Sequence, residues 1–136
     1  MITKLAELAE LVATVPDLYV RYSAGPEHDE AQVSRDHESG LEMPGLSVNP
    51  LQPEPWWVRP LEDWLARQLC QYAHLQQKSP DERHAWVLTG PAVGRGPDCE
   101  PLIAPATFVA WIDDAVVAEA RDVYRERFDV GRDSTA

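Results

Sequence analysis

Leu18-Tyr19-Val20-Arg21-Tyr22-Ser23 is the stretch on which the fold turns. Leu18, Val20 and Tyr22 alternate with Tyr19, Arg21 and Ser23, which is the period-two pattern of a β-strand with two chemically different faces. The first set suits a core, and the second suits the floor of a cleft. Just upstream the period changes. Leu5, Leu8, Leu11 and Val12 fall on one face of a helix over 3–14, with Lys4, Glu7 and Glu10 on the others. Thr3 is placed to cap its start and Pro16 to stop it.

Working outward, Gly45 to Pro50 reads as a second short strand, with Leu46 and Val48 pointing one way and Ser47 and Asn49 the other. Between the two strands, residues 25–40 form a long polar loop. It carries His28, Asp29, Asp36, His37 and Glu38, whose spacing matches no metal motif and reads as solvated loop. Leu51 to Arg59 is a Pro-rich connector holding Trp56-Trp57, a pair that reads as a core or lid anchor rather than a base-stacking platform in a chain this acidic. Pro60 to Gln77 predicts a helix, with Pro60 at its first position, Glu62 and Asp63 at its positive end, and a stripe of Leu61, Trp64, Leu65, Leu69 and Tyr72. Ser79-Pro80 ends it, and Cys70 beside the stripe reads as a buried thiol.

His84 to Thr89 reads as a strand closed by Gly90-Pro91, and Thr107 to Ile112 leans towards a further strand. Asp113 and Asp114 cap a last helix reaching Phe128, with Val116, Val117, Ala120, Tyr124 and Phe128 on its buried side. The sum is an α+β chain in which a small mixed or antiparallel sheet is flanked by about three helices. It is expected to form a single domain over 1–130 with a tail at 131–136.

Composition narrows the function. The 136 residues carry a net charge of −11, which argues against nucleic acid or an anionic membrane as the main partner. There is no apolar run of about 20 residues for a membrane helix, and the first residues lack a leader pattern. A soluble, cytoplasmic protein is expected. Two cysteines, Cys70 and Cys99, cannot build a metal site alone, and no metal is expected. Of the 12 basic residues, arginine far outnumbers lysine, which points to a GC-rich bacterial genome. Nucleotide-binding glycine motifs, the phosphate loop and the GxSxG elbow are all missing.

The most constrained stretch is Gly94-Arg95-Gly96-Pro97-Asp98-Cys99-Glu100-Pro101-Leu102-Ile103. Glycine and proline set its backbone and so hold Arg95, Asp98 and Glu100 in defined places. Pro101 belongs at an edge or a bulge. The carboxylates beside Cys99 disfavour a thiolate there.

Through Leu18–Ser23, Gly45–Leu51, Pro60–Leu75 and Val93–Ile103, the whole chain resembles an uncharacterised family of small actinobacterial proteins. More loosely, the layout is similar to the ADP-ribosyltransferase fold. That fold places an Arg in an apolar-aromatic context on a first strand, as in Leu18-Tyr19-Val20-Arg21. A Ser sits on a second strand, as in Leu46-Ser47-Val48, and a Glu opens a later one, as in Cys99-Glu100-Pro101-Leu102-Ile103. The chain departs from that pattern in lacking a Ser-Thr-Ser triplet, in having Asp98 two before Glu100, and in Pro101.

The resemblance implies NAD as substrate, with Glu100 stabilising oxocarbenium charge, Arg21 on the pyrophosphate and Ser47 bracing Glu100. It leaves Asp98 to orient a nucleophile and Arg95 to fold over a phosphate. An equally coherent reading pairs Arg21 or Arg95 with Glu100 or Asp98 as a structural tie. Two further readings stand beside these. One is a non-enzymatic module that uses its acidic surface and Trp56-Trp57 on a protein partner. The other is a nucleotide binder without turnover.

Overall fold

A computed structural model describes residues 1–29, 33–71 and 83–128. The end of the helix expected to reach Gln77, with Tyr72 and Ser79-Pro80, and the tail 131–136 lie outside the described residues. Three helices are described: α1 Leu5–Thr14, α2 Leu61–Gln71 and α3 Asp114–Phe128. The strands are β1 Leu18–Ser23, β2 Leu46–Ser47, β3 Asn49–Pro50, β4 His84–Thr89, β5 Ala92–Arg95, β6 Pro101–Ile103 and β7 Thr107–Trp111. The arrangement is α+β. A four-stranded sheet has the order β3-β1-β4-β7, a three-stranded sheet has the order β2-β6-β5, and every strand pair is antiparallel.

The segment expected to be one strand at 45–50 is two, broken at Val48. Its first half pairs with β6 and its second half with β1. Val48 N–H still donates to the Pro101 carbonyl and Leu51 N–H to the Leu18 carbonyl, so both ladders run up to the break from either side. Five residues therefore join the two sheets.

The faces of β1 separate two cores. Leu18, Val20 and Tyr22 meet Leu5, Leu8 and Val12 of α1, Leu65 and Leu69 of α2, and Val116, Val117 and Ala120 of α3. Burial of these faces is the main stabilising term for all three helices. Tyr22 adds a polar tie by donating its hydroxyl to the Leu69 carbonyl at 2.7 Å, and burial pushes its phenol pKa far up. On the opposite face the small sheet closes over the large one: Leu46, Val48, Trp86, Leu88 and Ile103 are buried together, with Tyr19 against them. The face of β1 expected to floor a cleft is thus covered by a second sheet.

Several local expectations change. Thr3 does not accept a helix N–H; its hydroxyl and amide both donate to Glu7 Oε1, and the Leu5 amide finds Glu119 Oε1 from α3 at 2.9 Å instead. Asp113 does cap α3, accepting from the Ala115 amide. Tyr124 of α3 is exposed and stacks on Phe128 rather than entering the core. Pro101 opens β6, the middle strand of its sheet, where a first residue tolerates proline. Cys70 is half-buried, and burial raises its pKa. Gly90, at φ +153°, leaves no room for a side chain, since a Cβ there would run into the Pro105 carbonyl and Ile103.

Two buried indoles differ in their polar atoms. Trp86 Nε1 donates to Ser23 Oγ at 2.9 Å, whereas Trp64 Nε1 is sealed without a partner among the described residues. Trp86→Phe and Trp64→Phe delete the same atoms, but only the first breaks a hydrogen bond, and the second relieves an unpaired donor. In urea unfolding Trp86→Phe is expected to cost about 1–2 kcal/mol more than Trp64→Phe; equal losses would refute this assignment of the two N–H groups.

Candidate functional site

Arg21, Ser47 and Glu100 sit on or beside three successive neighbours: β1, the β2–β3 segment and β6. Ser47 Oγ donates to Glu100 Oε2 at 2.7 Å, and the Asp98 amide donates to Glu100 Oε1 at 3.1 Å. Both carboxylate oxygens are therefore held by short contacts. The turn beneath them has a recognisable form. Cys99 N–H donates to the Gly96 carbonyl, Gly96 N–H donates to the Glu100 carbonyl, and Cys99 sits at φ 62°. This is a three-residue hairpin loop, Pro97-Asp98-Cys99, whose last position normally takes glycine. Arg95 reaches across it and donates from Nη1 to the Cys99 carbonyl at 2.9 Å. Gly96 leaves room for the Glu100 carboxylate: a Cβ there would occupy its place and displace it.

Arg21 is not brought to Glu100. By strand alternation it shares the face of Tyr19 and Ser23, while Ser47 and Asn49 point to the other side of their segment. Its guanidinium touches only the backbone of that segment, through Nη1 to the Ser47 carbonyl at 2.8 Å. Its ion pair is with Asp29, Nε to Oδ2 at 2.8 Å. Asp29 Oδ2 also accepts from Ser23 Oγ at 2.6 Å, and Ser23 in turn accepts from Trp86. So Arg21 does form a structural pair, but with a loop residue expected to be solvated, and Arg95 bonds a carbonyl instead of a carboxylate. Burial works to raise the Asp29 pKa. The hydrogen bond and charge of Arg21, with bonds from Ser23 and His28, outweigh it and hold the carboxyl below its usual range.

Arg95, Asp98 and Glu100 line a cleft of about 510 Å³ that runs between this hairpin and α2. Trp56 stands at it with 66% of its surface exposed, 6.3 Å from the Trp64 ring in an edge-to-face pair. Trp57 turns inward and packs with Trp64 and with Arg59, which lies over Phe128. From α2 the cleft receives Arg67, Gln68 and Gln71, and from β3 it receives Asn49. Sequence reading missed these four. One signal was available: Gln68 lies four residues after Trp64 and three after Leu65, a polar residue in the apolar stripe of α2. Asp29 carried no such signal, since it is one acid among several in a polar loop. Neither Arg21 nor Ser47 lines the cleft.

The lining mixes two guanidinium groups, Arg67 and Arg95, with the carboxylates of Glu54, Asp98 and Glu100. That mixture suits a ligand bearing both anionic oxygens and hydroxyl or cationic groups. Among the described residues no cluster of three metal-ligating side chains occurs, and no helix is long and apolar enough to cross a membrane.

The model of a family of unknown function, DUF6098, matches residues 1–134, and the chain belongs to that family. No curated protein and no solved structure matches it.

Two measurements check this geometry. The Asp29 carboxyl has a folded pKa below its unfolded value, so it stabilises the fold above about pH 4, and that stability is lost as pH falls further. Wild type is therefore expected to lose stability more steeply than Asp29→Asn between about pH 4 and pH 2, read by urea midpoints. Cys99→Gly relieves a left-handed non-glycine residue and is expected to raise stability by about 1 kcal/mol; a loss would show that the Cys99 side chain contributes packing.

Proposed function

We propose that this cleft binds a nucleotide of the NAD class. Arg67 and Arg95 hold the phosphates, Glu100 accepts ribose hydroxyls, and the base lies on the exposed ring of Trp56. One observation carries the reading: a carboxylate pinned by Ser47 and the Asp98 amide shares a single cleft with two arginines and an exposed indole. Sugar-phosphate ligands need those three chemistries together, namely bidentate cations, a hydroxyl acceptor and an aromatic face.

The Ser47–Glu100 hydrogen bond also favours a second step, ADP-ribosyl transfer. Cleaving the nicotinamide–ribose bond builds positive charge on the ribose, and a carboxylate that cannot swing away stabilises it without reorganisation cost. In this reading Arg21 is a positioning residue, because its guanidinium is engaged by Asp29 and the Ser47 carbonyl. The phosphate role expected of it passes to Arg67 and Arg95.

Thermal unfolding with NAD, ADP-ribose and AMP tests binding. A ligand at about a hundred times its Kd adds roughly 2.7 kcal/mol. Arg67→Ala is expected to weaken binding about tenfold or more, the scale of a lost charged hydrogen bond, with the unliganded Tm unchanged. No shift with any of the three at millimolar concentration refutes the proposal. Release of nicotinamide from NAD by wild type, abolished in Glu100→Gln with NAD binding retained, would establish cleavage of the nicotinamide–ribose bond over binding alone, and whether free ADP-ribose or a modified acceptor nucleophile appears tells water from transfer.

A further inference from the structure

The wall of the cleft opposite the hairpin is built from amides, and their hydrogen bonds leave a pattern. Asn49 Nδ2 donates to Gln71 Oε1 at 2.7 Å and to the Gln68 carbonyl at 3.4 Å. Gln68 Nε2 donates to the Pro50 carbonyl at 2.8 Å. These bonds use the nitrogen of Asn49 and of Gln68 and the oxygen of Gln71. Among the described residues they leave Asn49 Oδ1 and Gln68 Oε1 as acceptors and Gln71 Nε2 as a donor, each without a partner. Asn49 and Gln68 are each 6% exposed, so these are buried amides with one half unused. Buried polar groups are costly to leave unpaired and are normally satisfied. The only side-chain polar atom sealed away without a partner among the described residues is Trp64 Nε1. The free halves of Asn49 and Gln68 are thus reachable from the cleft that both residues line.

We infer that Asn49, Gln68 and Gln71 form a base-reading subsite, selective for a planar ring whose edge carries an amino or carboxamide group. The inference rests on the nucleotide reading of the cleft and goes beyond it by naming what distinguishes one nucleotide from another. Two acceptors receive the two hydrogens of an NH2 group, and the neighbouring Gln71 donor meets the ring nitrogen or carbonyl beside it. Trp56 supplies the stacking face for the same ring. Adenine and nicotinamide both carry this edge. A ring without the NH2 leaves both acceptors desolvated and unpaired, and that is the origin of the discrimination.

The experiment is calorimetric titration of the full chain with two matched pairs and a baseless probe. The pairs are AMP with purine riboside 5′-monophosphate, and nicotinamide mononucleotide with nicotinic acid mononucleotide; the probe is ribose 5-phosphate. In at least one pair the NH2-bearing member is expected to bind roughly tenfold tighter or better, and which pair shows it identifies the ring. Gln68→Met and Asn49→Leu each delete one of the two acceptors, and each variant that keeps the wild-type circular dichroism spectrum is expected to lose most of that preference while leaving ribose 5-phosphate affinity unchanged. Equal affinities within both pairs, or a preference undiminished in a folded Gln68→Met or Asn49→Leu variant, overturn the subsite while the nucleotide reading stands. If none of the five probes binds, the cleft is not a nucleotide site and both proposals fall.

Discussion

Leu46 to Pro50 must serve two sheets at once, and most of the architecture follows from how it does so. Its first two residues pair with β6 and its last two with β1, with Val48 at the break. Alternation along five residues sends Leu46 and Val48 into the core between the sheets, beside Trp86 and Ile103. The same alternation turns Ser47 towards Glu100 and Asn49 towards α2. A register slip of one residue would exchange the two sets, burying Ser47 and Asn49 against aromatic rings and exposing Leu46 and Val48. Packing of the second core and placement of the polar cleft wall are therefore one constraint.

The Arg21–Asp29 pair fixes the other end of that segment. It lies with Ser23 and the Trp86 indole on the two inner strands of the large sheet, and Arg21 also holds the Ser47 carbonyl. Removing charges from water is costly, and such a pair adds little net stability over apolar packing. What it adds is position. Four side chains and one carbonyl meet in a single arrangement, and the start of the 25–40 loop is tied to β1. Every bond of this network is internal to the fold, so Arg21 supports the segment that carries Ser47, and it does not line the cleft.

The cleft itself is assembled from a hairpin, a helix and a connector, which come together only because α2 packs across the sheet. Trp57 and Trp64 anchor the connector to α2, Arg59 bridges from Trp57 to Phe128, and Asp63 holds Arg59 at 3.1 Å. That apolar anchor leaves Trp56 exposed at the cleft that Arg67 and Glu100 also line. The hairpin is held just as firmly, with Glu100 bonded through both oxygens and Cys99 kept in a left-handed conformation. The Glu100 carboxylate and the Asn49 and Gln68 amides are thus held by the fold itself, and groups held in this way need less ordering to make a further contact.

Secondary structure was largely legible in the chain because it depends on local period and local caps. The alternation of Leu18 to Ser23, the apolar faces of α1 and α3, and the Asp113 cap are all read within a few residues. The tight turn within Gly94–Ile103 was legible for the same reason, since glycine and proline act on their own backbone, but the strand Ala92–Arg95 that makes it a hairpin was not. Asp29 as the partner of Arg21 was not legible, because nothing in a polar loop marks which of its acids will be buried. Nor was the division of the 45–50 strand, which is set by two ladders from distant parts of the chain, nor the covering of the Arg21 face by a second sheet. Gln68 lies between these cases: its place in an apolar stripe was visible, but its role depended on Asn49 and the hairpin arriving opposite it. The sequence by itself determined most of the residues that form helices, strands and turns. Only the tertiary structure decided which polar groups would share a space, because that depends on long-range pairing and packing that no local pattern encodes.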